Sequence, residues 1–262
     1  MCLRQDPTLM CKNHLNFHIT CKITMIFVIG GLGNSTTYFS FFVRECVRRC
    51  FPRVHTVFIE DAASVDRHLL EVPERERVLV GFSLGAAAAL EVSSRIPVQR
   101  LIMIAPVSYY DVLYDHNGIE ETDASYAPLG SSRWWKDLRL IRVCVHVAQA
   151  IPWFRGWLRK LYLRFNPECP DMVLNTIFSN NLVKQHDIVR KYVTNFNIFA
   201  AIKNARAQRT EIICGTRDEF GPFARFLQSY NETIRVRFCE GDHHLILHCP
   251  ELLCDMLESA VI

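Results

Sequence analysis

Residues 78–90 read VLVGFSLGAAAAL, which predicts a strand, a sharp turn and a helix in direct succession. The first three residues form the short, apolar, β-branched run that is typical of a strand buried on both faces. Strong helix formers follow from Leu84, with no helix breaker after Gly85. Ser83 therefore lies at the point where a buried strand turns sharply into a helix.

Glycines flank this serine two residues away on each side, at Gly81 and Gly85. A turn this tight strains the backbone of Ser83 and brings neighbouring chains close, which residues without a Cβ atom permit. The pattern G-x-S-x-G is that of a nucleophile elbow, which presents the serine oxygen at the carboxyl edge of a parallel sheet. The alternative is a chance pentapeptide beside an ordinary helix.

The composition indicates one folded domain with an insertion. A chain of 262 residues can bury one large core, and half of its residues are hydrophobic while 22% are charged. The net charge of +3 is too small to indicate a nucleic-acid partner, which requires a clustered basic face. Eleven scattered cysteines without a C-x-x-C pair favour free thiols in a reducing compartment, so we predict a cytoplasmic location.

The order of predicted elements indicates an α/β fold with a mostly parallel, doubly wound sheet. Apolar runs predict strands over residues 23–29, 54–59, 78–80, 100–106, 211–214 and 234–239. Helical patterns lie over residues 38–49, 63–72, 84–90, 223–230 and 250–260. This alternation stops after residue 106 and resumes near residue 209, which predicts an inserted helical segment between two sheet strands.

We therefore predict three regions. Residues 1–22 form an N-terminal leader that is poorly ordered, and translation starts at Met1 or at Met25. Residues 23–106 and 209–262 form the core, and residues 107–208 form an inserted helical cap. No apolar run approaches the length of a membrane span.

Two later loops hold the residues that a serine nucleophile requires. Asp218 lies in a loop after the strand 211–214, and His243 and His244 follow the strand 234–239. A serine hydroxyl is a poor nucleophile, so it needs a base within hydrogen-bond reach and an acid that fixes the tautomer of that base. Because carboxyl ends of parallel strands meet at one edge of the sheet, we expect these loops to lie beside Ser83.

With these motifs in this order, the chain resembles the α/β-hydrolase fold superfamily over about residues 23–106 and 209–262. The resemblance implies Ser83 as nucleophile, and Asp218 as the acid because it ends a G-x-x-D match that begins at Gly215. It implies His243 as the base, since that residue lies seven positions before Pro250, the usual separation in the family.

The resemblance also implies an oxyanion hole made by the backbone N–H groups of Leu32 and Leu84, with Gly31, Gly81 and Gly85 as structural glycines of the site. The first strand of such proteins commonly ends in His-Gly, whereas this chain has Gly30 followed by Gly31.

Several alternatives stay open at this point. His244 could be the base, Asp218 could cap its own loop, and Asp242 reads as a turn residue. Glu219 could replace Asp218, although its register does not match the family pattern. The glycines after the first strand could also bind a phosphate, but the complete G-x-G-x-x-G fingerprint is absent.

The inserted segment is rich in aromatic and basic residues between positions 131 and 165. One interpretation is a cap whose aromatic side chains pack over the sheet while the charges face water. The other is a lid that lines an apolar acyl pocket and makes peripheral contact with an anionic membrane. The stretch contains a single acid, Asp137, and all four tryptophans: Trp134, Trp135, Trp153 and Trp157.

The resemblance implies a serine hydrolase, esterase-like or lipase-like, that cleaves a carboxylic ester or thioester of a small or medium-sized acyl substrate. No metal, cofactor or nucleic acid is expected. Two alternatives use the same scaffold: a catalytically inactive binding protein, and an acyltransferase or thioesterase.

Overall fold

A computed structural model describes residues 25–34, 38–49, 53–107, 138–165, 170–179, 182–194, 196–218, 220–248 and 250–258. The predicted leader, Glu219, Trp134 and Trp135 lie outside the described residues.

One parallel sheet organises the part of the chain that the structure describes, with the strand order β2-β1-β3-β4-β5-β6. Ile29 pairs with Gly81 and Phe82 pairs with Ile104, so the carboxyl ends of three neighbouring strands are level. The six strands are β1 (Met25–Ile29), β2 (Arg53–Val57), β3 (Arg77–Phe82), β4 (Val98–Ile104), β5 (Ala207–Gly215) and β6 (Arg235–Cys239).

Helices connect the strands. The helices outside the long β4–β5 connection are α1 (Ser40–Arg48), α2 (Ala62–Leu70), α3 (Leu84–Arg95), α9 (Gly221–Tyr230), α10 (Leu245–His248) and α11 (Pro250–Glu258). Within that connection lie α4 (Leu138–Ala150), α5 (Pro152–Phe165), α6 (Asp171–Ser179), α7 (Leu182–Val189) and α8 (Ile198–Asn204).

The strands direct their side chains alternately into two apolar cores, one on each face of the sheet. Ile26 and Val28 of β1 enter the first core, whereas Phe27 and Ile29 enter the second. Helices α1 and α11 cover the first core, and α2, α3, α8 and α9 cover the second. Helices therefore lie on both faces, which confirms the predicted doubly wound α/β fold.

Several boundaries differ from those expected: β4 spans Val98–Ile104 where residues 100–106 were expected, and β5 begins at Ala207 where residue 211 was expected. The second strand was expected over residues 54–59, but β2 ends at Val57 and a 3-10 turn begins at Ile59. The following helix was expected to reach residue 72, but α2 ends at Leu70, because the residue before Pro73 is disfavoured in the α conformation.

The segment between β4 and β5 packs against both cores. Val173 and Ile177 of α6 and Leu182 of α7 are buried in the first core, and Ile198 of α8 is buried in the second. The division into a core and an inserted cap stays a prediction. Within the residues described, no helix is both long and apolar enough to cross a membrane.

Two buried free thiols lie in contact between helices α1 and α11. Sγ of Cys46 on α1 lies 3.5 Å from Sγ of Cys254 on α11, and both residues are fully buried. The hydrogen bond with the Cys254 thiol and, after it, burial raise the pKa of Cys46, so this thiol stays protonated and acts as an apolar side chain of the core.

A buried ion pair lies at the amino-terminal end of the sheet. Arg100 on β4 and Glu211 on β5 are 2% and 3% exposed, and the guanidinium donates to the Glu211 carboxylate and to the carbonyl oxygen of Leu257. Burial lowers the pKa of Arg100, and the Glu211 carboxylate opposes this change. The pair therefore ties β4, β5 and α11 together.

Replacing Glu211 by Gln should lower the free energy of unfolding by about 3–5 kcal/mol, because it leaves the Arg100 charge buried without its counter-ion. Urea denaturation followed by circular dichroism measures this change. The control is Glu232→Gln in an exposed turn, expected to change stability by less than about 0.5 kcal/mol. Equal effects of the two substitutions would contradict the assigned role of the pair.

Candidate active site

The turn between β3 and α3 holds Ser83 in a conformation that L-residues rarely adopt. Its φ is 57° and its ψ is −125°, and its N–H donates to the carbonyl oxygen of Ile104 at 2.9 Å. The packing of β3, which is fully buried, and of the buried first turns of α3 holds Ser83 in this strained conformation. Ser83 itself is only partly buried.

The two glycines that flank this serine permit close backbone contacts. A methyl group at Gly81 would overlap the carbonyl oxygen of Gly85 and the backbone of Ala86. One at Gly85 would overlap the carbonyl oxygens of Ile29 and Gly30. The start of α3 thus lies directly against the end of β1, which only glycine at position 85 allows.

His243 lies beside Ser83 although the two residues are 160 positions apart in the chain. Its Nε2 is 3.0 Å from Oγ of Ser83, within hydrogen-bond distance. The imidazole packs against the rings of Phe82 and Phe220, with centroid distances of 5.5 and 5.4 Å. These two rings fix the plane of the imidazole beside the serine.

Asp218 lies within hydrogen-bond distance of His243, on the side of the imidazole away from Ser83. Its Oδ1 lies 3.2 Å from Nδ1 of His243 and also accepts the N–H of Phe220 at 3.0 Å. The carboxylate therefore caps its own loop and contacts the histidine at the same time. Its side chain is fully buried, and Oδ2 has no hydrogen-bond partner in the structure as described.

Backbone hydrogen bonds hold the aspartate loop against the histidine loop. Thr216 N–H donates to the carbonyl oxygen of Cys239, and Arg217 N–H donates to that of Gly241. A methyl group at Gly215 would overlap the carbonyl oxygens of Gly241 and Asp242. Gly215 therefore permits the close approach that brings Asp218 to the imidazole.

The imidazole of His244 lies within hydrogen-bond distance of a different residue, Tyr38. Its Nδ1 lies 2.7 Å from the hydroxyl of Tyr38, and its N–H donates to Oδ1 of Asp242, which is thus a turn residue. Of the two adjacent histidines, it is His243 that the structure places within hydrogen-bond reach of Ser83. The sequence carried no signal for the contact between Tyr38 and His244, because the two lie 206 positions apart.

The glycine-rich loop after β1 packs against Ser83. Gly31 N–H donates to Oδ1 of Asn34, and Asn34 N–H donates back to the carbonyl oxygen of Gly31 at 3.2 Å. A methyl group at Gly31 would lie 2.7 Å from Cβ of Ser83. The N–H of Gly31 is thus engaged within the loop, and Leu32 follows it in the same turn.

Leu84 is the first residue of α3, where backbone N–H groups have no partner within the helix. Its position and that of Leu32 are compatible with the predicted oxyanion hole, which stays a prediction. Among the described residues, no three His, Cys, Asp or Glu side chains cluster in a way that could hold a metal ion.

Replacing Gly85 by Ala should destabilise the protein by about 1–3 kcal/mol, since the added methyl group overlaps two carbonyl oxygens. The matched control is Gly156→Ala on α5, where an added Cβ meets no atom within 4 Å. That control should stabilise the protein by about 0.5–1 kcal/mol, because alanine favours a helix over glycine. Urea denaturation measures both variants, and an equal stability of the two would contradict the packing described here.

Structural comparison supports the fold. A hydrolase from Oleispira antarctica superposes with a TM-score of 0.64 at 11% identity, covering 90% of this chain and 91% of that one. The enol-lactonase from Burkholderia xenovorans LB400 gives 0.56 at 13% identity, covering 91% and 90%. A thioesterase domain from the curacin biosynthetic pathway gives 0.53 at 13% identity, covering 90% and 92%. At such identities the likeness shows the fold alone.

Sequence comparison identifies the family. No curated protein matches the sequence significantly. The family model described as "Alpha/beta hydrolase family" matches residues 36–256, which is most of the chain and includes Ser83, Asp218 and His243. The chain therefore belongs to the alpha/beta hydrolase family, as its sequence motifs predicted.

Proposed function

We propose that this protein is a serine hydrolase, esterase-like or lipase-like, that cleaves a carboxylic ester or thioester through an acyl-enzyme on Ser83. The observation that carries the proposal is the row of hydrogen-bond distances from Ser83 Oγ through His243 to Asp218. Membership of the alpha/beta hydrolase family supports it.

The first step is the attack of Ser83 Oγ on the carbonyl carbon of the substrate. For this step His243 Nε2 accepts the hydroxyl proton, so Nδ1 carries the other ring proton and keeps it while it donates a hydrogen bond to Asp218 Oδ1. The imidazolium then returns the proton to the leaving alcohol or thiol. The acyl group remains on Ser83 as an ester.

The second step releases the acyl group. Water gives a proton to His243 and attacks the acyl-enzyme, and the imidazolium returns that proton to Ser83 Oγ as the acid leaves. The same scaffold with another acceptor in place of water would make an acyltransferase, so product analysis distinguishes the two reactions.

Asp218 stabilises the imidazolium that forms in both steps. Its side chain is fully buried, and the Phe220 N–H and the imidazole hold the same oxygen. A carboxylate held in this way keeps the imidazole in one tautomer, which is the role of the acid in such a triad.

The negative charge on the substrate oxygen would be stabilised by the backbone N–H groups of Leu32 and Leu84. Each such donor contributes about 3–4 kcal/mol to lowering the barrier. The dipole of α3 adds to this effect, because Leu84 lies at its positive end. These groups and the triad need no metal or cofactor, so we propose a reaction without either.

The proposed location is the cytoplasm. Cys46, Cys214 and Cys254 are buried free thiols, which supports a reducing compartment.

A fluorophosphonate probe should label the wild-type protein at Ser83, because this reagent forms a stable adduct with an activated serine. Ser83→Ala should abolish labelling and the hydrolysis of p-nitrophenyl esters. Labelling is measured by in-gel fluorescence and by mass spectrometry of the modified peptide.

The matched control is Ser94→Ala, a substitution of a helical serine whose hydroxyl bonds the carbonyl oxygen of Glu91. It should leave labelling unchanged. A folded wild-type protein that no probe labels would instead support the inactive binding protein. A panel of esters and thioesters of increasing acyl length then identifies the substrate class.

A further inference from the structure

The outer face of helix α5 carries two exposed tryptophans in line with two cations. Trp153, Trp157, Lys160 and Arg164 are spaced by four, three and four residues, so they lie on one side of the helix. Trp153 is 74% exposed and Trp157 is 51% exposed, and both cations are exposed. We call these four residues the tryptophan face.

The opposite side of α5 already supplies the packing of this helix. Phe154, Leu158 and Tyr162 pack against the first core. The tryptophan face is therefore not required to hold α5 in place, and its large apolar surface faces water. A contiguous exposed apolar patch marks an interaction site in many proteins.

Hydrogen bonds to neighbouring helices hold α5, and with it the tryptophan face, in place. Arg155 donates to the carbonyl oxygens of Ala148 and Gln149 at the end of α4 and to that of Phe178 on α6. The ring of Trp157 stacks on Phe154 at a centroid distance of 5.4 Å. The indoles thus project from a helix that is tied to both α4 and α6.

The positive charge of helices α4 and α5 favours an anionic partner. Residues 138–165 contain six Arg and Lys residues and no Asp or Glu. The other residues hold 24 basic and 27 acidic side chains, a net charge of −3. The positive charge of the protein is thus concentrated on the segment that exposes the tryptophans.

We propose that the tryptophan face docks the protein onto the surface of an anionic lipid membrane. Indole side chains prefer the interface between headgroups and acyl chains, and neighbouring cations contact the anionic headgroups. A convex helix with protruding indoles suits a lipid surface, whereas single-stranded nucleic acid is usually bound in a basic groove. The proposal is independent of catalysis at Ser83, because docking needs only α5.

The test is flotation of the full-length protein with vesicles of phosphatidylcholine containing about 30% phosphatidylserine, compared with pure phosphatidylcholine. Wild-type protein should bind the anionic vesicles at least roughly tenfold more tightly, and the binding should weaken as NaCl rises from about 0.05 to about 0.5 M. Equal binding to both vesicles, or no binding, would overturn the proposal.

Two double variants locate the contact. Lys160→Glu with Arg164→Glu should weaken binding by about thirty-fold or more, and Trp153→Ala with Trp157→Ala by roughly tenfold or more. The charge control is Arg235→Glu with Arg237→Glu on edge strand β6, and the apolar control is Leu70→Ala, a residue 64% exposed on α2. Both controls should bind vesicles like the wild type.

Thermal unfolding followed by circular dichroism verifies that each variant is folded. Folded tryptophan-face variants that bind as tightly as wild type would overturn the proposal. Fluorescence anisotropy with a single-stranded oligonucleotide tests the other anionic partner, and tighter binding to it than to the vesicles would also overturn the proposal.

Discussion

The close backbone contact around Ser83 is the constraint on which the rest of the structure depends. The start of α3 lies against the carbonyl oxygens of Ile29 and Gly30, so β1, β3 and α3 meet without side chains between them. This contact holds Ser83 at a φ of 57°, with its hydroxyl oxygen 3.0 Å from Nε2 of His243. The glycine-rich loop and the serine therefore occupy one small region at the carboxyl edge.

The same edge receives the ends of β5 and β6. Because β4 separates β3 from β5, the aspartate and histidine loops must extend beyond their strands to reach the serine. Gly215 and the hydrogen bonds from Thr216 and Arg217 join the two loops, and the rings of Phe82 and Phe220 orient the imidazole. The long connection contributes as well, since α6 packs directly on Gly33 of the glycine-rich loop.

Local patterns predicted much of this arrangement. Ser83, Asp218 and His243 each follow a strand that its sequence pattern predicted, and parallel strands bring such ends to one edge. The contacts that depend on distant segments were not predictable, because neither Gly215 against Gly241 nor Tyr38 beside His244 leaves a local pattern. Arg155 illustrates the same limit: the sequence placed it with the other cations of residues 131–165, whereas it binds carbonyl oxygens of α4 and α6.

The most direct test of the central claim is the rate of Ser83 phosphonylation by a fluorophosphonate in the wild type, in His243→Gln and in His244→Gln. If His243 is the base, His243→Gln should react about 10²–10⁴ times more slowly than the wild type. His244→Gln should react at the wild-type rate, because His244 contacts Tyr38 and not Ser83. Folded His243→Gln that reacts as fast as the wild type, or a comparable loss of rate in His244→Gln alone, would contradict the account.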